Sequence, residues 1–204
     1  MLNIYKIITI NNSLNLKNNT MNQTAINKPR VATVWLGGCS GCHMSFLDLD
    51  ERLIELADKI DLVFSPIADI KTFPDNVDVT LVEGAVSNDE NEEMAHRVRK
   101  NSKYVISFGD CATTGNVTAM RNRFTNEELI NRSYVELADI CNSVPNDHTL
   151  IAKLLEQALP LHHVIRVDAF LHGCPPTPDE IWFAMNELLQ GRIPVFNTQF
   201  LRYG

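Results

Sequence analysis

From residue 30 onward the chain alternates between two hydrophobic patterns. Short runs rich in β-branched and other apolar residues, at 31–36, 61–65, 77–83, 104–109 and 164–171, predict strands. The stretches between them carry apolar positions at helical spacing. Phe46, Leu49, Leu53, Leu56, Ala57 and Ile60 predict a helix that Ser45 can cap. A second helix is expected after Asn88. There Asp89, Glu90, Glu92 and Glu93 fall in the first turns and Arg97, Arg99 and Lys100 near the end, matching the helix dipole. A last helix is expected over 177–190, opened by Pro178, Asp179 and Glu180 and stopped by Gly191. Strands that alternate with helices pair in parallel and are covered on both faces, so the pattern implies an α/β fold. The exception is a partly irregular segment at 116–160, where helical pieces at 126–138 and 149–159 flank a polar stretch around 144–148.

The first 29 residues contain eight Asn and little periodic hydrophobicity, too little apolar surface to offset the entropy of ordering them. A flexible tail over 1–29 and a single folded domain over 30–204 are therefore expected. Met21, just ahead of the folded part, is an alternative translation start to Met1. Lys and Arg number 18 against 25 Asp and Glu, a formal charge of −7, which leaves no surplus of positive charge to neutralise phosphates and argues against a nucleic-acid partner. The longest uncharged run near the N-terminus, 7–16, is studded with Asn and falls short of the roughly 18 apolar residues that span a bilayer. No basic segment leads into an apolar stretch with a small-residue cleavage site, and no twin-Arg pair occurs, so the expected compartment is the cytoplasm.

In a reducing compartment five cysteines are metal ligands, redox groups or core residues rather than a disulfide framework. Cys39 and Cys42 form a C-x2-C pair in Gly37-Gly-Cys-Ser-Gly-Cys42, directly after the first predicted strand. Cys111 follows the strand at 104–109, in Gly109-Asp-Cys-Ala-Thr-Thr-Gly115, and Cys174 follows the strand at 164–171, in Gly173-Cys-Pro-Pro176. All four thus sit at C-terminal ends of strands, which in an open parallel sheet form one rim where ligands bind. Four thiolates there fit either structural zinc or an iron–sulfur cluster. Three features favour the cluster. One local pair is completed by two lone cysteines instead of a second knuckle, Cys174 precedes Pro as in ferredoxin runs, and the position is a functional rim. Cys141, away from any strand end, is assigned to packing.

These segments, with Trp35-Leu-Gly-Gly-Cys-Ser-Gly-Cys-His43 and Val82-Glu-Gly-Ala85 in the same order, resemble the small subunit of nickel–iron hydrogenases, and within it the cytoplasmic NAD-linked bidirectional type. The resemblance covers nearly all of 30–204. It implies a flavodoxin-like core with one 4Fe-4S cluster held by Cys39, Cys42, Cys111 and Cys174. The expected partners are a large subunit with the nickel–iron centre and diaphorase subunits carrying iron–sulfur clusters and flavin. The related quinone-reductase subunit of respiratory complex I has adjacent cysteines in its first motif, so the C-x2-C spacing points to the hydrogenase branch. Membrane-bound and periplasmic members add a twin-Arg leader and a C-terminal half with further clusters, neither of which is expected here. With one spare cysteine the chain can hold one cluster only, so electrons must leave through another protein.

The implied role is electron transfer from the hydrogen-splitting partner toward NAD, with no bond chemistry on this chain. The acceptor site must then lie on a partner, since no G-x-G-x-x-G fingerprint is present. Glu83 is either a hydrogen-bonding or proton-relay residue facing the large subunit, or an acid that caps the following turn. His43 and His172, which flank cysteines, are candidates for tuning the cluster, and Trp35 is expected in the core because it alternates within a strand. Three rivals stay open: a flavin carrier, with FMN in place of the cluster or beside it, a zinc-stapled interaction subunit, and a complex I-like quinone-reductase subunit.

Overall fold

The structure is a computed structural model that describes residues 28–139 and 143–196. Its centre is a five-stranded parallel sheet of β1 (Arg30–Trp35), β2 (Asp61–Phe64), β3 (Val77–Glu83), β5 (Ser102–Phe108) and β7 (Ala169–Leu171). They lie in the order β2-β1-β3-β5-β7, the flavodoxin-like 2-1-3-4-5 arrangement when these strands alone are counted. Alternating side chains of β1, β3 and β5 bury opposite faces. On one face Val31, Val79, Leu81, Ile106 and Phe108 meet three helices, α1 (Gly41–Leu47), α2 (Arg52–Lys59) and α7 (Pro178–Leu189). On the other, Ala32, Val34, Val82 and Val105 meet α3 (Asp89–Asn101) and the short α4 (Asp110–Thr114). Near-continuous apolar strands covered on both sides are what a parallel sheet requires.

Local chemistry sets the helix ends. Asn88 accepts the N–H of Asn91 at 2.7 Å to open α3, and Thr177 with Glu180 forms a reciprocal capping box on α7. A further box of Thr125 and Glu128 opens α6 (Asn126–Asn131), which runs on as a single π-helical stretch to Glu136, within the piece expected over 126–138. Between α4 and α6 lies the one-turn α5 (Asn116–Ala119).

Four expectations are corrected. The helix expected from Ser45 to Ile60 is two helices, broken where Asp50 takes φ +50; Ser45 lies buried inside α1, and its hydroxyl donates to the Pro176 carbonyl at 2.5 Å instead of capping. The helical piece at 149–159 ends as a strand, β6 (Leu154–Leu159), which pairs antiparallel with β4 (Val86–Asn88) in a second, two-stranded sheet. Its apolar residues fit either period, and pairing with a distant strand decides. The last parallel strand is shorter than expected: 161–163 form a 3-10 turn, and strand geometry begins at Ala169. Trp35 is 41% exposed at the end of β1, not in the core.

Of the segment expected as a tail, only Lys28 and Pro29 are among the described residues. Both are tied to the fold, Lys28 Nζ donating to Ala57 O and Pro29 O accepting from Asp61 N. Cys141 lies outside the described residues. Among those described, no helix is long and apolar enough to cross a membrane.

Leu81 is 1% exposed in a central strand, whereas Ile54 on α2 is 56% exposed. Leu81→Ala is expected to lower the unfolding free energy by about 2–5 kcal/mol and Ile54→Ala by less than about 0.5 kcal/mol, both read from urea midpoints at unchanged slope.

Candidate functional site

The rim at the C-terminal ends of the strands carries Cys39 and Cys42 after β1, Cys111 in the first turn of α4 after β5, and Cys174 after β7. Glu83 ends β3, beside β1 at the switch point of the sheet. All four cysteines are free thiols; Cys42 and Cys111 are buried, Cys39 and Cys174 exposed. Main-chain pairing continues past the ends of β1 and β3, because Gly37 and Ala85 exchange both backbone hydrogen bonds, at 2.9 and 2.7 Å. This close approach depends on glycine. A Cβ at Gly37 would fall 2.4 Å from Ser87 Oγ, and Gly84 sits at φ +94 with the 36–37 backbone less than 3 Å from where its Cβ would be.

Four side chains knit the turns together. The carboxyl of Glu83, 2% exposed, accepts the backbone N–H of Cys42 at 3.3 Å on Oε1 and that of His43 at 3.0 Å on Oε2, and it also bonds His43 Nδ1. Asp110 ties the Cys111 turn to the Cys174 turn: its N–H donates to Gly173 O at 2.9 Å, and its Oδ1 accepts from Gly173 N at 2.8 Å. Ser45 links α1 to Pro176 beyond Cys174. Asn116 Nδ2 donates to Cys174 Sγ at 3.2 Å. At Gly109 the same economy of space recurs, since a Cβ there would lie 2.1 Å from Cys42 Sγ.

The sulfurs share one electrostatic environment. Burial raises the pKa of Cys42 well above the usual thiol range, and the charges of Glu83, Cys111, Cys39 and Cys174 push the same way. Burial also raises Cys111; a hydrogen bond with Thr118 opposes this, and Cys39, Cys174 and Glu83 add to the rise. Among the described residues, no group of three or more His, Cys, Asp or Glu is gathered closely enough to hold one metal ion. The donor chemistry that the three turns bring to the rim, four thiols, fits a thiolate-bound cluster.

His43, 2% exposed, packs edge-on against Trp35 with ring centroids 5.1 Å apart, and its Nε2 is buried with no hydrogen-bond partner among the described residues. His172 is exposed and stacks on Phe170. FMN finds no support in this geometry. A flavin phosphate on this rim would draw on N–H groups at a helix N-terminus, and those of Cys42 and His43 in the first turn of α1 are already taken by Glu83. The roles of Asp110 and Asn116 were not read from the sequence. Both stand next to motif residues, at Gly109-Asp110-Cys111 and Gly115-Asn116, and nothing in their spacing announces a bond 58 or 63 residues away.

Known proteins give an independent view. A model of the family described as NADH ubiquinone oxidoreductase, 20 kDa subunit, matches residues 39–188. The chain is 40% identical over 168 residues to the delta subunit of the NAD-reducing hydrogenase HoxS of Cupriavidus necator, covering 81% of this chain and 80% of that subunit. It is 38% identical over 174 residues to a subunit of the F420-non-reducing hydrogenase vhu of Methanocaldococcus jannaschii, spanning 84% of this chain but 60% of the relative's length. Its fold matches a chain of the crystal structure of an NAD+-reducing nickel–iron hydrogenase in the H2-reduced state, with a TM-score of 0.83 at 40% identity, over 87% of this chain and 99% of that one.

The knitting by Glu83 makes a measurable prediction. Glu83→Ala leaves two buried N–H groups and the His43 ring without their acceptor and is expected to cost at least about 2 kcal/mol, while Glu83→Gln, which retains one carbonyl oxygen, costs less. Urea unfolding of the reduced protein compares the two; equal and small losses would mean that Glu83 does not organise the turn.

Proposed function

The chain belongs to the NADH ubiquinone oxidoreductase 20 kDa subunit family and, within it, to the small subunits of nickel–iron hydrogenases, and on that premise we propose that it is the electron-relay subunit of such an enzyme. In this reading Cys39, Cys42, Cys111 and Cys174 hold one 4Fe-4S cluster within a single domain spanning 30–204. The observation that carries it is the meeting of four thiols from three separate turns at the switch-point rim, with Glu83, Asp110, Ser45 and Asn116 fixing those turns to one another.

When bound, such a cluster supplies reversible one-electron transfer without bond chemistry. The work of this chain is to hold and bury it. Gly41 and Gly109 bring backbone close to the sulfurs of Cys39 and Cys42, and β1, β5 and β7 set the spacing of the three cysteine-bearing turns. Cys39 and Cys174 remain exposed, and large exposed apolar side chains stand on elements adjoining the cysteine turns in the chain: Trp35 at the end of β1 (41% exposed), Met44 on α1 (59%), Val117 on α5 (53%) and Met120 directly after α5 (62%). Exposed apolar groups around a half-covered site support a protein partner over the rim, which we assign to the large subunit with the nickel–iron centre. Electrons would pass on through a diaphorase module, with NAD as the final acceptor as in the NAD-reducing hydrogenase of C. necator, and the complex would work in the cytoplasm. Glu83 is then both the organiser of the Cys42 turn and, with His43 bonded to it, a candidate relay for protons toward the large subunit. His172, exposed beside the Cys174 turn, has the weaker claim to tune the cluster.

Anaerobic purification followed by iron, sulfide, zinc and flavin analysis tests the assignment. About four iron and four acid-labile sulfide per chain are expected without flavin on this chain. Cys111→Ala is expected to abolish hydrogen-dependent NAD reduction by the assembled complex while leaving the complex intact. Stoichiometric zinc without sulfide, persisting after anaerobic reconstitution with iron and sulfide, would overturn the reading, as would full activity of Cys111→Ala.

A further inference from the structure

Asn116 is the one residue of the α5 turn whose side chain reaches a cysteine across the rim from another strand: Nδ2 lies 3.2 Å from Cys174 Sγ, 58 positions away. The turn itself is held on both sides. Asn116 N donates to Thr114 Oγ1 at 3.3 Å, and Thr118 Oγ1 donates to Gly37 O at 3.1 Å, so the amide is presented from a fixed backbone. Asn116 takes φ +36 directly after Gly115 at φ +85. That conformation favours Gly or Asn, so backbone geometry alone would be met by Gly; the side chain adds the donor.

Cys174 is one of the two exposed cysteines; once a partner covers the rim and water is excluded from the sulfur, a fixed donor already in place acts at full strength. An N–H on a thiolate stabilises whichever state carries more negative charge on sulfur, and that is the reduced state of any redox group the sulfur holds. Resting on the reading of the four cysteines as cluster ligands, we propose that Asn116 is a positioning residue that sets the potential of the group they hold, its amide N–H on Cys174 favouring the reduced form. One electron enters from the hydrogen-oxidising partner and one leaves to the acceptor; no bond is made or broken, and Asn116 shifts only the balance between the two oxidation states.

The test uses the complex assembled with its partner subunits. Asn116→Gly keeps the backbone conformation and deletes the donor, and Asn116→Asp keeps the shape and replaces the donor with a carboxylate. An EPR-monitored redox titration, with iron and sulfide measured on the same samples, is expected to show wild-type metal content in Asn116→Gly. At a fixed potential its ratio of reduced to oxidised cluster falls about tenfold, equivalent to about 59 mV for a one-electron couple, and Asn116→Asp shifts further in the same direction. A measurement on the unsubstituted complex needs no variant: with isotopically labelled asparagine, pulsed EPR of the reduced sample is expected to show a coupling from one side-chain amide nitrogen. Variants that titrate at the wild-type potential with full iron and sulfide, or a reduced sample without that coupling, would overturn the proposal while leaving the four-cysteine reading intact. An unsubstituted complex whose copy of this chain holds no iron or sulfide would overturn both.

Discussion

Four sulfurs held at one place oppose one another as soon as they ionise, and much of the architecture of the rim answers that repulsion. Burial and the charges of the other three cysteines and Glu83 all raise the Cys42 thiol. Nothing in that environment draws the sulfurs together. They are gathered because the backbone that carries them is committed elsewhere: to the ends of β1, β5 and β7, to main-chain bonds between Gly37 and Ala85, and to the Asp110 link with Gly173. A thiolate ligand must give up its proton when it binds a metal. A site prepared against its own charge is thus one that a cationic iron–sulfur core would relieve.

The sheet order supplies the rest. In a 2-1-3-4-5 sheet the crossover connections change direction between β1 and β3, and the turns beyond those strands splay apart to leave a crevice. Here the crevice is partly filled from within. Glu83 reaches from β3 to the first-turn N–H groups of α1, which in a nucleotide-binding relative of this fold would be available for phosphate. One buried carboxyl thereby does two things: it ties down the Cys42 turn, and it occupies two donors that a phosphate at this helix would use. The same scaffold with those donors free would be suited to a different cofactor, which is how one fold hosts unrelated chemistries.

What was legible in the sequence follows from which interactions are local. Parallel strands buried on both faces read as apolar runs, so β1, β2, β3 and β5 were recognisable with their order in the chain, and the helix-opening residues Asn88 and Thr177 act within three residues of themselves. The cysteine-bearing turns were legible because Gly flanks sulfur directly after a strand. Failures came where a distant partner decides. Leu154 to Leu159 pair with Val86 to Asn88, some 70 residues earlier, and their spacing alone satisfied a helix. Ser45 looked like a cap, but its hydroxyl is taken by Pro176 across 131 positions. Trp35 alternates as a core residue should, yet it stands where β1 runs out of covering structure. Glu83 is readable from the sequence only as one of two alternatives, and its bonds to the N–H groups of Cys42 and His43 depend on α1, 40 positions away.

The division of the four cysteines into a buried and an exposed pair bears on what the isolated chain can reveal. Potentials of thiolate-bound clusters depend on hydrogen bonds to sulfur and on solvent exposure. Cys42 on α1 and Cys111 on α4 are already buried in the single chain. Cys39 and Cys174 face outward, beside the exposed Trp35, Met44 and Val117, so half of the surroundings would be supplied only when something covers the rim. Asp110 and Asn116 act on that outward half, one by fixing the Gly173 turn and the other by bonding the sulfur. The fold thus buries one side of the site and steadies the other, so that any surface closing over the rim would complete its electrostatics.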